Sequence, residues 1–274
     1  MTNLVLIVSD ENYDHYAKNL IRSIHASNSI EVVHVCLKED LARRTSFVLN
    51  HEQKLHRIEI PHFSGIKEQK RVYSAVCRFT VARELLEVNP TIKSLIYIDA
   101  DSIVRRQLDP LIQTFLASNS SVGLRVRNDS HPYLSGVLFL SPVSKPFLDE
   151  IILALSTADL VWGQDQTALE HVLSHHPQFQ VLALDPKSVG WELCRSLHIY
   201  SAKGIDRRKS PEFMFESWAL PLLVHIPKKL RRVPRSALFT ISGLLHKLKI
   251  RENYYFLRSR TQKFIRYLIR LPKN

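Results

Sequence analysis

Leu95-Ile96-Tyr97-Ile98-Asp99-Ala100-Asp101-Ser102-Ile103-Val104 is the stretch on which the fold turns. Four large apolar residues in succession predict a strand buried on both faces, the pattern of a parallel sheet. Two carboxylates one residue apart close that strand, and the chain turns apolar again behind them. In an open α/β sheet, ligands sit beyond the carboxyl ends of the strands. Asp99 and Asp101 therefore stand where a ligand is expected. Two hard oxygen donors at this spacing can share one divalent cation whose shell phosphate oxygens complete. The plain alternative, a strand-end turn with two solvated aspartates, is the commoner one for an isolated Asp-x-Asp, so the surrounding chain has to decide.

Upstream, residues 4–8 and 31–37 read as strands. Between them Tyr13, Tyr16/Ala17, Leu20/Ile21 and Ile24 recur at helical spacing. Residues 39–50 are expected to be helical and 54–60 a short strand. Val72, Ala75/Val76, Phe79, Ala82 and Leu85/Leu86 form one helical face, which Asn89-Pro90 ends. Downstream, 122–126 and 137–140 read as strands. Ser144 with Pro146 is expected to start a helix as N-cap and early-turn proline. A helix follows Asp165, and 181–184 and 222–225 are further strands. The order predicts an α/β fold with a mixed, mostly parallel central sheet covered by helices on both faces.

Composition narrows the function classes. The chain has 274 residues and only seven glycines, from which neither a G-x-G-x-x-G nor a Walker loop can be written. Three cysteines, Cys36, Cys77 and Cys194, do not make a disulfide framework. No apolar run approaches the roughly 18 residues of a membrane span, and residues 4–8 read as a strand and not as a signal peptide. The expectation is a cytoplasmic protein. The net charge of +12 is unevenly placed: residues 228–274 hold 14 Lys and Arg against one acid, Glu252, leaving 24 bases and 25 acids for residues 1–227. This divides the chain into a nearly neutral body, 1–227, and a basic tail, 228–274.

Asp10-Glu11-Asn12-Tyr13 follows the first strand. An aromatic face there can stack on a nucleobase while Asp10 or Asn12 bonds its edge; helix capping by Asp10 or Asn12 is the structural alternative. Together with Asp99-x-Asp101, Gly136-Val137-Leu138 and Asp165-Gln166, in that order, this segment resembles the GT-A glycosyltransferases. It is most similar to glycosyltransferase family 8, which includes bacterial lipopolysaccharide galactosyl- and glucosyltransferases. The resemblance covers roughly residues 3–226.

The resemblance implies a GT-A fold and a retaining hexosyl transfer from a nucleotide-diphosphate sugar, usually UDP-linked, with Mn²⁺ or Mg²⁺. It implies Asp99, Asp101 and His225 as metal ligands and Asp10, Asn12 and Tyr13 around the base and ribose. Arg78, or else Arg83 on the same helix, would reach the donor. Asp165 and Gln166 would lie near the reacting anomeric carbon, against the alternative that Asp165 is an N-cap. Lys228 or Lys229 would touch the phosphates, although the glycine that precedes this lysine in the family is missing from His225-Ile226-Pro227-Lys228-Lys229. The basic run 203–209 could close over the diphosphate or be a solvated loop. Leu134 stands where the family commonly has an asparagine that contacts the transferred sugar, with Ser135 beside it.

In the tail, Ile250, Tyr254, Leu257, Phe264/Ile265 and Leu268 follow helical spacing, with Arg251, Arg258, Arg266 and Arg270 on another face. A basic amphipathic helix of this kind suits peripheral attachment to the inner face of an anionic membrane, and hence a glycan or lipid-linked acceptor for lipopolysaccharide or polysaccharide synthesis. No nucleic-acid partner is expected. The competing functions are a non-catalytic nucleotide or membrane adaptor and a sugar nucleotidyltransferase; the latter favours a glycine-rich loop after the first strand, which this chain lacks.

Overall fold

The structure is a computed structural model that describes residues 2–37, 67–128, 131–156, 161, 163–192, 194, 196–201 and 213. The chain divides into two units, Met1–Ser201 and Ala202–Asn274; the description below concerns the first. Expected elements at 39–50, 54–60 and 222–225, the 227/228 boundary and the tail helix lie outside the described residues.

Six strands make the central sheet: β1 (Thr2–Asp10), β2 (Glu31–Leu37), β3 (Ile92–Ile98), β5 (Val122–Val126), β6 (Tyr133–Leu140) and β7 (Val181–Ala183), in the order β2-β1-β3-β6-β5-β7. β1 pairs parallel with β2 and β3, and β5 pairs parallel with β7. β6 alone runs the other way, antiparallel to both β3 and β5. The carboxyl ends of β1, β2, β3, β5 and β7 and the amino end of β6 therefore share one end of the sheet. That end is where a fold of this type receives ligands. A second sheet, β4-β9-β8, joins β4 (Ser102–Val104), β9 (Ile199–Ser201) and β8 (Val189–Gly190).

Both faces of the central sheet are covered, as its continuous apolar strands demand. On one face α1 (Asp14–Ser27) and α3 (Asp109–Ser118) bury Leu20, Ile24, Ile112 and Phe115 against Val5, Ile7, Ile96 and Phe139. On the other, α2 (Lys67–Val88), α4 (Lys145–Ser156) and α5 (Gln164–His175) bury Phe79, Phe147 and Leu169 against Leu6, Leu95 and Leu138. Each strand contributes alternate residues to the two cores, as its period of two dictates.

Polar side chains fix the joints. Ser23 on α1 donates to the Leu20 carbonyl and accepts the Val104 amide at 2.9 Å, holding β4 to that helix. Asn28 accepts the Leu108 amide at 2.7 Å and ties the end of α1 to the start of α3. The helix expected behind Ser144 is α4, but the capping bond of Ser144 belongs to a turn ahead of that helix. The turn ahead of α4 begins at Pro142, and its N-cap is Ser141, with Ser144 closing a capping box by accepting the Ser141 amide at 2.9 Å. Ser144 thus completes that cap from inside the turn, and Pro146 lies in the first turn of α4 as expected.

Candidate active site

The aspartate stretch runs as β3, a turn, then β4. The Asp99 amide donates to the Gly136 carbonyl at 2.8 Å, and the Ser102 amide donates to the Asp99 carbonyl at 3.1 Å. The Gly136-Val137-Leu138 strand thus pins the turn that displays Asp99 and Asp101. Asp101 is buried, 7% exposed, so it is not a freely solvated turn residue.

Arg78, from the middle of α2, lies beside Asp99. Its guanidinium is 3% exposed and is enclosed by aromatic rings, 5.1 Å from the centroid of Phe79 and 4.9 Å from that of Tyr97. Nη1 donates to Oδ1 of Asp99 at 3.1 Å and to the Tyr97 hydroxyl at 3.3 Å; Nη2 donates to Oδ2 of Asp165. The Tyr97 hydroxyl in turn donates to Oδ1 of Asp99 at 2.6 Å, and the Ser135 hydroxyl donates to Oδ2 of Asp165. Burial by itself would lower the Arg78 pKa, but Tyr97, Asp165 and Asp99 outweigh it and hold the guanidinium above its ordinary value. The Tyr97 phenol is pushed well above its usual value by burial and by the Asp99 charge. Burial likewise pushes the neighbouring Cys77 thiol up to about 12, against the pull of Arg78.

Of the two candidate arginines, then, Arg78 joins the carboxylates. Arg83 lies at the surface, donating to Asp149 and Glu87 at 2.7 Å each. Asp165 is not an N-cap. Gly163 holds that place with φ +88°, a conformation glycine adopts without strain, and Asp165 turns inward from the first turn of α5. Gln166 is half-buried beside it. At the carboxyl end of β1, Oδ1 of Asp10 accepts the Tyr13 amide at 3.0 Å, so the capping role weighed for Asp10 is present. Tyr13, half-buried, packs near Tyr16 with ring centroids 5.7 Å apart, and Asn12 is exposed. Leu134 is buried directly across from Arg125 in the β5–β6 register. His225, Lys228, Lys229 and the run 203–209 lie outside the described residues.

Three participants were not anticipated: Tyr97, the bond from Ser135 to Asp165, and a group at the end of β2. Tyr97 carried a signal, since residues two apart on a strand share a face, which puts Tyr97 with Asp99. Among the described residues one group of three possible metal ligands comes together, Asp14, His34 and Cys36, with ligand atoms within 4.8 Å of one another. Asp14 is ion-paired with Lys18, and His34 shares a 2.8 Å hydrogen bond with Ser9. For the expected metal, the carboxylates of Asp99 and Asp101 offer the hard oxygen donors that Mg²⁺ or Mn²⁺ takes; this donor chemistry fits.

No family model matches the sequence, and it has no significant match to a curated protein. Among solved structures it is similar to a glycosyltransferase involved in the glycosylation of the major capsid of PBCV-1, at 10% identity and TM-score 0.50, over 80% of this chain and 98% of that one. It is also similar to the glycosyltransferase GlyE of Streptococcus pneumoniae TIGR4, at 14% identity and TM-score 0.51, over 82% of this chain and 62% of that one. The bifunctional glycosyltransferase WbbM matches at 13% identity and TM-score 0.50, over 85% of this chain and 51% of that one. The chain thus spans less than two thirds of the last two. These likenesses establish the fold: the chain has the GT-A fold of glycosyltransferases.

Proposed function

We propose that the chain transfers a sugar from a nucleotide-diphosphate sugar, UDP-linked, to a glycan or lipid-linked acceptor with retention of configuration. The observation that supports this most is the meeting of Asp99 and Asp165, two carboxylates 66 residues apart in sequence, on one buried arginine at the ligand end of a GT-A sheet. Residues picked from separate motifs occupy one site.

In this reading Tyr13 and Asn12 hold the base and ribose, which orients the donor through contacts remote from the reacting bond. Asp99 and Asp101, with His225, would hold Mn²⁺ or Mg²⁺; bound there, the cation neutralises charge that builds on the leaving diphosphate. Arg78 holds the Asp99 and Asp165 carboxylates in place through its Nη1 and Nη2 donors. Asp165 and Gln166 line the position of the transferred sugar. Lys228 or Lys229 and the 203–209 run add positive charge at the phosphates. The basic tail attaches the enzyme to an anionic membrane, each base being worth roughly 1 kcal/mol there. No helix among the described residues is long and apolar enough to cross a membrane.

The test is a panel of nucleotide sugars incubated with the purified chain, with Mn²⁺ and with a chelator, reading nucleotide diphosphate release and metal-dependent donor binding. Turnover or binding of one donor that requires metal, and that is lost in a folded Asp101→Ala variant, supports the reading. A folded Asp101→Ala variant with full activity overturns the metal scheme. Neither release nor metal-dependent binding would favour a non-catalytic adaptor. Sedimentation with anionic vesicles, with and without residues 228–274, tests the tail; equal partitioning rejects the membrane role.

A further inference from the structure

Arg125 occupies the carboxyl end of β5, at the same end of the sheet as Asp99. It is 8% exposed. Among the described residues its one hydrogen bond is a long one, Nη1 to the Leu184 carbonyl at 3.4 Å, and its buried Nε, like that of Arg78, has no partner there. The guanidinium lies 5.7 Å from the centroid of the Trp191 ring, which Arg127 also approaches, at 5.8 Å. Among the described residues no carboxylate lies within ion-pair distance of Arg125. Asp185 favours its charge from further away, but the Asp185 oxygens are engaged by its own turn, accepting the Lys187 amide at 3.0 Å and the Ser188 hydroxyl at 3.4 Å. Burial lowers the Arg125 pKa and Arg127 lowers it further. The residue directly across the strand pair is Leu134, which offers no acceptor from its side chain.

A buried cation without a counter-charge destabilises a fold, and a buried guanidinium with no carboxylate among the described residues is a place that an anion would stabilise. Arg125 lies two strands from β3, beside Trp191 and the Leu184 carbonyl, whereas the Asp99 and Asp165 carboxylates are bonded by Arg78. That position, to one side of the aspartates, suits a group lying beyond the transferred sugar. We propose that Arg125, beside Trp191, binds an oxyanion carried by the acceptor, a phosphate or a carboxylate beside the hydroxyl that receives the sugar. Guanidinium takes either group through two parallel N–H donors, and the Trp191 ring 5.7 Å away favours the cation at this place. This inference rests on the glycosyl-transfer reading and adds to it the chemical class of the acceptor.

The experiment uses the full chain at constant ionic strength, with UDP and Mn²⁺ present and absent. Inorganic phosphate, glucose 6-phosphate, glucuronate and glucose are titrated by calorimetry, and melting is followed in parallel. Wild type should bind at least one of the anions ten-fold or more tightly than glucose, the phosphate and glucuronate arms telling the two oxyanions apart. Arg125→Met, which fills the same space without charge, should weaken that binding at least ten-fold, melt no lower than wild type and keep the wild-type affinity for UDP. Arg125→Lys should retain part of the anion binding. Absence of anion binding by wild type overturns the inference. So does anion binding by Arg125→Met equal to that of wild type, or a variant that melts well below wild type, which would make Arg125 a structural group. Failure of UDP to bind wild type would instead count against the glycosyl-transfer reading itself.

Discussion

Arg78 and Arg125 are both buried at the ligand end of the central sheet, and their surroundings are opposite. Arg78, on the α2 face, is bonded by Asp99, Asp165 and Tyr97. Arg125, on β5, has one long bond to a carbonyl and an aromatic ring. The difference teaches what each does for the fold. The first guanidinium is the counter-ion that lets the buried Asp165 and the half-buried Asp99 sit together. The second brings no such compensation, so its burial is a cost that a ligand can offset. As to counter-charge, one half of the site is complete within the described residues, and the other half awaits a ligand.

The largest effect should come from breaking the complete half. Arg78→Met leaves Asp99 and Asp165 close together without their cation, and removing one partner of a buried ion pair costs about 3–5 kcal/mol. Urea unfolding should show that loss, and sugar transfer should vanish. The adjacent Cys77 gives a second readout. With its thiol pKa near 12 and no exposure to speak of, Cys77 should resist iodoacetamide at pH 8 in the wild type, and its labelling should accelerate in Arg78→Met. A variant as stable and as protected as wild type would erase the distinction between the two arginines.

A smaller effect is expected at Tyr97. Its hydroxyl donates to Asp99 and lies within reach of Nη1 of Arg78. Tyr97→Phe keeps the ring over the guanidinium and removes only the hydroxyl, which should cost about 1–3 kcal/mol. Donor affinity should fall with it, because Oδ1 of Asp99 loses a group that orients it. Unchanged stability in Tyr97→Phe would mean that the hydroxyl contributes nothing to holding Asp99.

Much of the complete half was legible in the sequence. The apolar run 95–98 marked a central strand, and the two aspartates behind it marked the turn. Asp165 carried an N-cap alternative that only the backbone removes, because Gly163 takes the cap and rotates Asp165 inward. Helical periodicity placed 78 and 83 on one helix but could not say which side chain reaches the end of the sheet. That depends on where α2 sits along β1 and β3, a matter of tertiary packing. The incomplete half was hidden for a related reason. Arg125 lies inside a short strand with apolar neighbours, Leu124 and Val126, and Trp191 is 66 residues away. The departure at Leu134 was visible, but its consequence depends on the β5–β6 register, which is irregular between Leu124 and Arg125.

The smallest effect should be at Arg83, which serves as the control for both buried arginines. It shares α2 with Arg78 and makes as many bonds to carboxylates, to Asp149 and Glu87. Lys145 also reaches Glu87, at 3.0 Å. Yet these groups face solvent, where water replaces a lost partner and exposed ion pairs contribute little. Arg83→Ala should therefore leave the unfolding midpoint, donor binding and anion binding indistinguishable from wild type. If it instead lowered stability as far as Arg78→Met does, the number of ionic bonds and not their burial would govern these arginines. The contrast drawn between Arg78 and Arg125 would then lose its physical basis, since that contrast assumes that burial is what makes a missing partner costly.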